Sequence, residues 1–205
     1  MNLGAMQPLG ASSMTAPGFS HARYTVRRSF WSFLGRRFYV DAPDGSLVAF
    51  VKHPLLKLRG EFTIFADEGE TRPLVVVRNR AVLSLNMAHD VFDAQTQQRL
   101  GSIRSRGLKS MIRDTWDLLD DADQPVGLMQ EDGMSLVRRF VPILPSHHHI
   151  ELGGQVVARI DQVFRFFTKE FTLDLSMAPG RLDPRFAVAC AMLALMAETA
   201  REAQG

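Results

Sequence analysis

The chain has 205 residues, 46% of them apolar and 22% charged, which fits one globular domain and excludes a disordered or fibrous chain. Acids and bases nearly cancel at a net charge of +2, so bulk charge gives no mandate for nucleic acid. A single cysteine, Cys190, excludes an internal disulfide framework and fits a reducing compartment.

Residues 1–22 are rich in Met, Gly, Ala, Ser and Pro and carry no charge before His21. A secretory signal needs a basic start and an unbroken apolar run. Gly4, Gln7, Pro8, Gly10 and Pro17 interrupt such a run, so this segment reads as a disordered arm, with a targeting arm as the alternative. A single domain is expected over 23–200, followed by a short tail at 201–205.

From about Tyr24 onward one pattern recurs: two or three apolar residues, an acidic turn, then an aliphatic residue, a small one and another aliphatic. Phe38–Asp41 leads through Pro43-Asp44-Gly45 to Leu47–Phe50, and Val91–Asp93 leads to Leu100–Ile103. Leu118–Asp120 leads to Val126–Leu128, and Ile150–Gly154 to Val156–Ile160. A weaker copy joins Phe62–Phe65 to Leu74–Val77. Its central positions are Ala49, Val76, Gly101, Gly127 and Ala158, at steps of 27, 25, 26 and 31 residues.

Each unit reads as a β-hairpin, with turn residues between short strands. Adding strands near Tyr24–Val26 and Phe171–Leu175 gives about twelve, in an antiparallel sheet that curls on itself. Links such as Leu55–Leu58 and Leu83–Leu85 would pack apolar residues at the far ends of the strands.

The last element begins at Asp183, placed as an N-cap, with Pro184 at the first helical position. Every residue from Phe186 to Ala197 is apolar, a run of 12. A bilayer span needs about 20 such residues, whereas runs of 10–14 are more often buried core helices. A ring of about twelve strands is too wide for side chains alone to fill, since about eight reach that limit. The slim, alanine-rich helix is therefore expected to plug the barrel.

Hairpins closing around a C-terminal apolar helix, with Gln162–Phe167 leading into Phe171–Leu175 and Asp183-Pro184 ahead of the helix, resemble the Tubby-like superfamily. Within it the chain is most similar to the LURP-one-related proteins, which in turn resemble phospholipid scramblases. The resemblance covers about Arg23 to Glu198. It implies a mainly β, closed barrel of about 12 antiparallel strands around a central apolar helix. Tubby proteins bind phosphoinositide head groups and scramblases are linked to calcium and lipid movement, so the resemblance points toward lipid. This chain lacks the scramblases' long proline-rich N-terminal region and a cysteine cluster for acylation, and no EF-hand spacing is present.

Catalytic signals are thin. His147–His149 invites a metal, but neighbouring strand side chains point to opposite faces and no further ligand lies nearby in sequence, so a polar strand entry is expected and no metal. Asp117, Asp120, Asp121 and Asp123 could bind a cation, but read as a hairpin turn. Cys190, inside the apolar helix, is expected to be inert. No nucleophile elbow, phosphate-binding loop or zinc-hydrolase motif occurs. The chain is accordingly expected not to be an enzyme and to need no cofactor.

Charge placement says more. The links 52–61, 78–90, 104–115, 130–149 and 159–170 carry 14 basic and seven acidic residues. The turns 41–47, 66–73, 93–99, 117–125 and 151–155 carry 11 acidic residues and two arginines. In an up-and-down barrel this makes one end basic and the other acidic. The basic rim, with Lys52, Lys57, Arg59, Arg78, Arg80, Arg104, Arg106 and Lys109, could hold anionic lipid head groups. The competing explanation is that acids build turns and bases solvate strand ends.

The expected function is non-enzymatic binding of anionic phospholipid or a protein partner at that rim. The expected location is the cytoplasm, peripheral to the inner face of the membrane. Scramblase-like lipid transport is the alternative, and an enzyme built on His147–His149 a more distant one. With Tyr and Trp totalling four and no stacking motif, no nucleic-acid partner is expected.

Overall fold

The computed structural model describes residues 9, 18–29, 36–53, 61–80, 87–106, 115–132, 145–163 and 170–202. Among these residues twelve strands precede one helix. They are β1 (Arg23–Arg28), β2 (Arg36–Asp41), β3 (Leu47–His53), β4 (Phe62–Phe65), β5 (Pro73–Arg80) and β6 (Ala88–Asp93). Then come β7 (Arg99–Ser105), β8 (Thr115–Leu119), β9 (Pro125–Glu131), β10 (His147–Leu152), β11 (Gln155–Val163), β12 (Glu170–Asp174) and the helix α1 (Pro184–Glu202). Each strand pairs antiparallel with its neighbours in sequence, and β1 pairs with β12 to close the barrel. The architecture is the one expected, with strands at all the expected places. The link residues Leu55–Leu58 and Leu83–Leu85 lie outside the described residues.

Alternation sets which side chains enter the bore. Tyr24 and Val26, Phe38 and Val40, Val75 and Val77, and Leu173 and Phe171 face inward and are buried. The repeat has a structural cause: all five long hairpins carry a β-bulge at the same place, just after the turn. The bulged residues are Val48, Leu74, Leu100, Val126 and Val157. Each precedes an inward-facing residue, Ala49, Val75, Gly101, Gly127 or Ala158, spaced 26, 26, 26 and 31 apart. A bulge adds twist and bends the strand, which a sheet must do to close.

This corrects the expected phase of the second unit. Val75, not Val76, is the equivalent position; Val76 pairs with Thr63 and Phe92 on the outer face. The three valines 75–77 carry no small residue to mark the phase in sequence.

At the C-terminus, Asp183 caps α1 as expected. Its Oδ1 accepts the N–H of Arg185 at 2.8 Å, and its carbonyl accepts the N–H of Ala187 at 3.0 Å. Every residue from Phe186 to Met196 is buried, in one cluster with the inward-facing strand residues. The helix touches β12 and also β5 and β7, which stand well around the ring from it. A helix buried on all faces and touching strands on separate sides of a closed ring occupies its bore. No helix among the described residues is long and apolar enough to cross a membrane.

Ahead of β1, among the described residues of the stretch expected to be a disordered arm, Leu9 and Phe19 are buried. Both are large and apolar, and both join the core cluster.

Candidate functional site

The acidic end of the barrel is built from turn-forming aspartates. Asp44 accepts the N–H of Ser46 at 2.9 Å, and Asp67 those of Thr71 and Arg72 at 3.1 and 2.9 Å. Asp93 accepts from Gln95 and Thr96 at 2.8 Å each, and Asp120 from Ala122 and Gln124 at 3.0 and 2.8 Å. These bonds fold the chain back between strands; the Ser46 hydroxyl and N–H lower the pKa of Asp44, and the Thr71 N–H leads in lowering that of Asp67.

The expected basic rim divides. Lys57, Arg59 and Lys109 lie outside the described residues. The other five point outward from the strands, and each has a carboxylate near. Arg78 donates to Glu61 at 2.8 Å and lies over the Phe92 ring at 4.9 Å. Arg104 and Arg106 both hold Asp117, at 3.1 and 2.6 Å. Arg80 grips Asp123 through two bonds of 2.9 Å and approaches Asp90 at 3.5 Å. Arg99 completes that network with bonds to Asp123, Asp90 and Ser102, and to the Asp121 carbonyl. The bonds from Arg80 and then Arg99 hold the Asp123 carboxyl far below the usual carboxylate range.

The aspartate cluster of the third full hairpin thus does two separate jobs. Asp120 builds the turn, while Asp117 neutralises Arg104 and Arg106 at the end of neighbouring β7, and Asp123 neutralises Arg99 of β7 and Arg80 of the more distant β5. Asp123 reaches Arg80 from a left-handed turn conformation, with φ of 63°.

Lys52 is different. Its Glu70 partner is 3.6 Å away and both side chains are well exposed. Directly across the β2–β3 pair stands Arg37, also exposed, with no carboxylate at ion-pair distance among the described residues. Two cations therefore face each other on the outer surface, an arrangement that is destabilising by itself. Beside them Arg27 lies over the Tyr39 ring at 4.4 Å and donates to Asp41 at 2.5 Å. Arg159, on β11, is a further exposed arginine but stands in register between His149 and Asp174.

The Arg27-Arg28 and Arg36-Arg37 pairs flanking the first link were not among the expected site residues. Their signal is plain in sequence: four arginines within eleven residues, and the β2–β3 pairing brings Lys52 alongside them.

The histidine run follows strand alternation. His148 is buried against Trp116, with ring centroids 5.9 Å apart, while its neighbours face out. His147 meets Asp161 at 2.7 Å, and His149 meets Asp132 at 2.5 Å and Glu151 at 3.2 Å. Among the described residues no three His, Cys, Asp or Glu side chains are grouped to hold a metal ion. Cys190 is fully buried, and burial pushes its thiol far above the usual range.

One buried ion cluster was not expected from sequence. Arg185, in the first turn of α1, is buried and bonds to Asp183 at 2.7 and 3.1 Å and to the buried Asp93 of the β6–β7 turn. It clasps the helix start to the sheet. Burial raises the Asp93 carboxyl, but the turn N–H groups and Arg185 outweigh it, so the net shift is downward.

No curated protein matches the chain. Among solved structures it is similar to an X-ray structure of a protein from Arabidopsis thaliana, at 14% identity and a TM-score of 0.47, over 84% of this chain and 89% of that one. A family model described as LURP-one-related matches residues 22–194, all twelve strands and more than half of the helix, and the chain therefore belongs to the LURP-one-related family.

Proposed function

We propose that the chain is a non-catalytic barrel that binds anionic phospholipid head groups at the corner formed by β1–β3. The observation that carries this reading is the exposed pair Arg37 and Lys52, facing each other in register with little local neutralisation. An anionic surface would relieve their mutual repulsion. Each cation near such a surface contributes about 1 kcal/mol and acts within a Debye length of about 8 Å. Arg78, Arg80, Arg104 and Arg106 are poor candidates for the same role, since each already holds a carboxylate.

The barrel's outer face opposes the alternative of lipid transport from within the bilayer. A membrane barrel carries an apolar band outside and polar groups inside. Here charged residues such as Arg27, Arg78, Asp90, Arg104, Asp117 and Asp161 point outward while the bore is apolar. With one buried cysteine, the reading places the protein in the cytoplasm, on the inner membrane surface.

Co-sedimentation with vesicles tests this. Binding is expected to vesicles containing phosphatidylserine or a phosphoinositide and not to neutral ones. It should fall at least about tenfold in Arg37→Glu/Lys52→Glu, the loss of roughly two favourable charges and their replacement by repulsive ones. Arg104→Glu/Arg106→Glu should bind nearly as the wild type does. Equal binding to both vesicle types, or loss only in the second variant, would overturn the proposal.

A further inference from the structure

At the turn end of the bore, one residue of the N-terminal arm is fastened into the fold. Leu9 forms a parallel bridge with Leu182: its N–H donates to the Arg181 carbonyl at 3.2 Å, and its own carbonyl accepts the N–H of Asp183 at 3.0 Å. Its side chain is buried in the core cluster. Two backbone bonds and one apolar pocket are the elements by which a sheet edge captures an extended peptide.

The pocket depends on a glycine. A Cβ on Gly101 would lie 2.7 Å from the Leu119 carbonyl oxygen, 2.9 Å from the Phe186 ring and 3.4 Å from Leu9. Its φ of 147° also disfavours a side chain. Gly101 thus leaves room where Phe186 and Leu9 meet. The seat is connected to the helix start through Asp183, whose N–H bonds Leu9, whose carboxylate bonds Arg185, and whose carbonyl bonds Ala187.

The occupant also has a distinct chemistry. No residue before His21 is charged, and the neighbours of Leu9 are Pro8 and Gly10. Among the described residues, the arm meets the seat through the Leu9 side chain and two backbone hydrogen bonds. The burial of one leucine is offset by the entropy of ordering the residues around it.

We infer that the seat formed by Arg181–Asp183, Gly101 and Phe186 is a binding site for an uncharged extended peptide segment with a leucine anchor, and that the chain's own arm occupies it as an intramolecular competitor. Release of the arm would open the seat to such a segment from a partner protein.

Hydrogen exchange and a peptide probe test this on the full chain. In the wild type the Asp183 amide should be protected. In Leu9→Ala it should exchange at least tenfold faster, while the Ala187 amide, bonded within the helix cap, changes by less than twofold. A labelled peptide spanning residues 4–14 should bind Leu9→Asp at least tenfold more tightly than the wild type. The same peptide carrying aspartate in place of its leucine should not bind. Unchanged exchange at Asp183 in Leu9→Ala would overturn the proposal. So would equal peptide binding by wild type and a folded Leu9→Asp variant, or binding that ignores the leucine. If Leu9→Asp does not fold, the same peptide comparison is made with Leu9→Ala and read by the same criteria.

Discussion

Replacing Arg185 with methionine isolates the clasp between helix and sheet. Methionine keeps an unbranched apolar stem but removes the guanidinium, and with it the bonds to Asp183 at 2.7 and 3.1 Å and the bond to Asp93. The two carboxylates left behind have side chains only 4% and 9% exposed. Breaking a buried pair in this way costs about 3–5 kcal/mol, because a charge stays buried without its partner. That is a large share of the roughly 5–15 kcal/mol by which such domains are stable.

Asp93→Asn should be milder, at about 1.5–3 kcal/mol, the range for a hydrogen bond to a charged group. Asparagine can still accept the turn N–H groups of Gln95 and Thr96 while losing the charge that Arg185 meets. The double variant should fall short of the sum by about 1 kcal/mol or more, since both changes remove the same contact. Urea unfolding at pH 7, with slopes compared, measures all three.

Acid supplies a second readout. The Asp93 carboxyl is depressed in the folded state relative to an ordinary aspartate near pH 4. Its stabilising contribution is therefore complete above about pH 4 and is lost as pH falls through the lower folded value. Wild-type stability should decline there more steeply than that of Asp93→Asn. An Arg185→Met cost under about 1 kcal/mol, or single effects that add within about 0.5 kcal/mol, would refute the clasp.

Gly127→Ala should destabilise by about 3 kcal/mol or more, since the new methyl would overlap the Glu151 carbonyl where β9 and β10 pair; thermal or urea unfolding will show it. Asp123→Asn should change stability by less than about 1 kcal/mol despite its strongly depressed carboxyl, because Asp123 and Arg80 are both substantially exposed and water screens them. Raising salt should shrink that difference further, which unfolding at two ionic strengths will reveal. Cys190 should resist thiol reagents in the folded protein and react when urea unfolds it, so the labelling rate should track unfolding.

Much of the fold was legible because its rules are local. Aspartate before a turn, alternation along a strand and Asp183-Pro184 ahead of an apolar run each act over a few residues, and each appears where expected. The phase of the second hairpin was not legible, since three consecutive valines fit either face and only the bulge at Leu74 decides among them.

The candidate site was less legible, and for one reason. Counting charges by link and turn treats each as staying at its own end of the barrel. Side chains instead reach across strands: Asp123 meets Arg80 from 43 positions away, and Asp93 meets Arg185 from 92. By itself, then, the sequence determined the hairpins, the cap and the burial of the last helix, through the short-range chemistry of turns and apolar faces. Only the tertiary structure decided which charges are spent on one another, because closing a twisted sheet around a helix brings together groups that no sequence spacing relates.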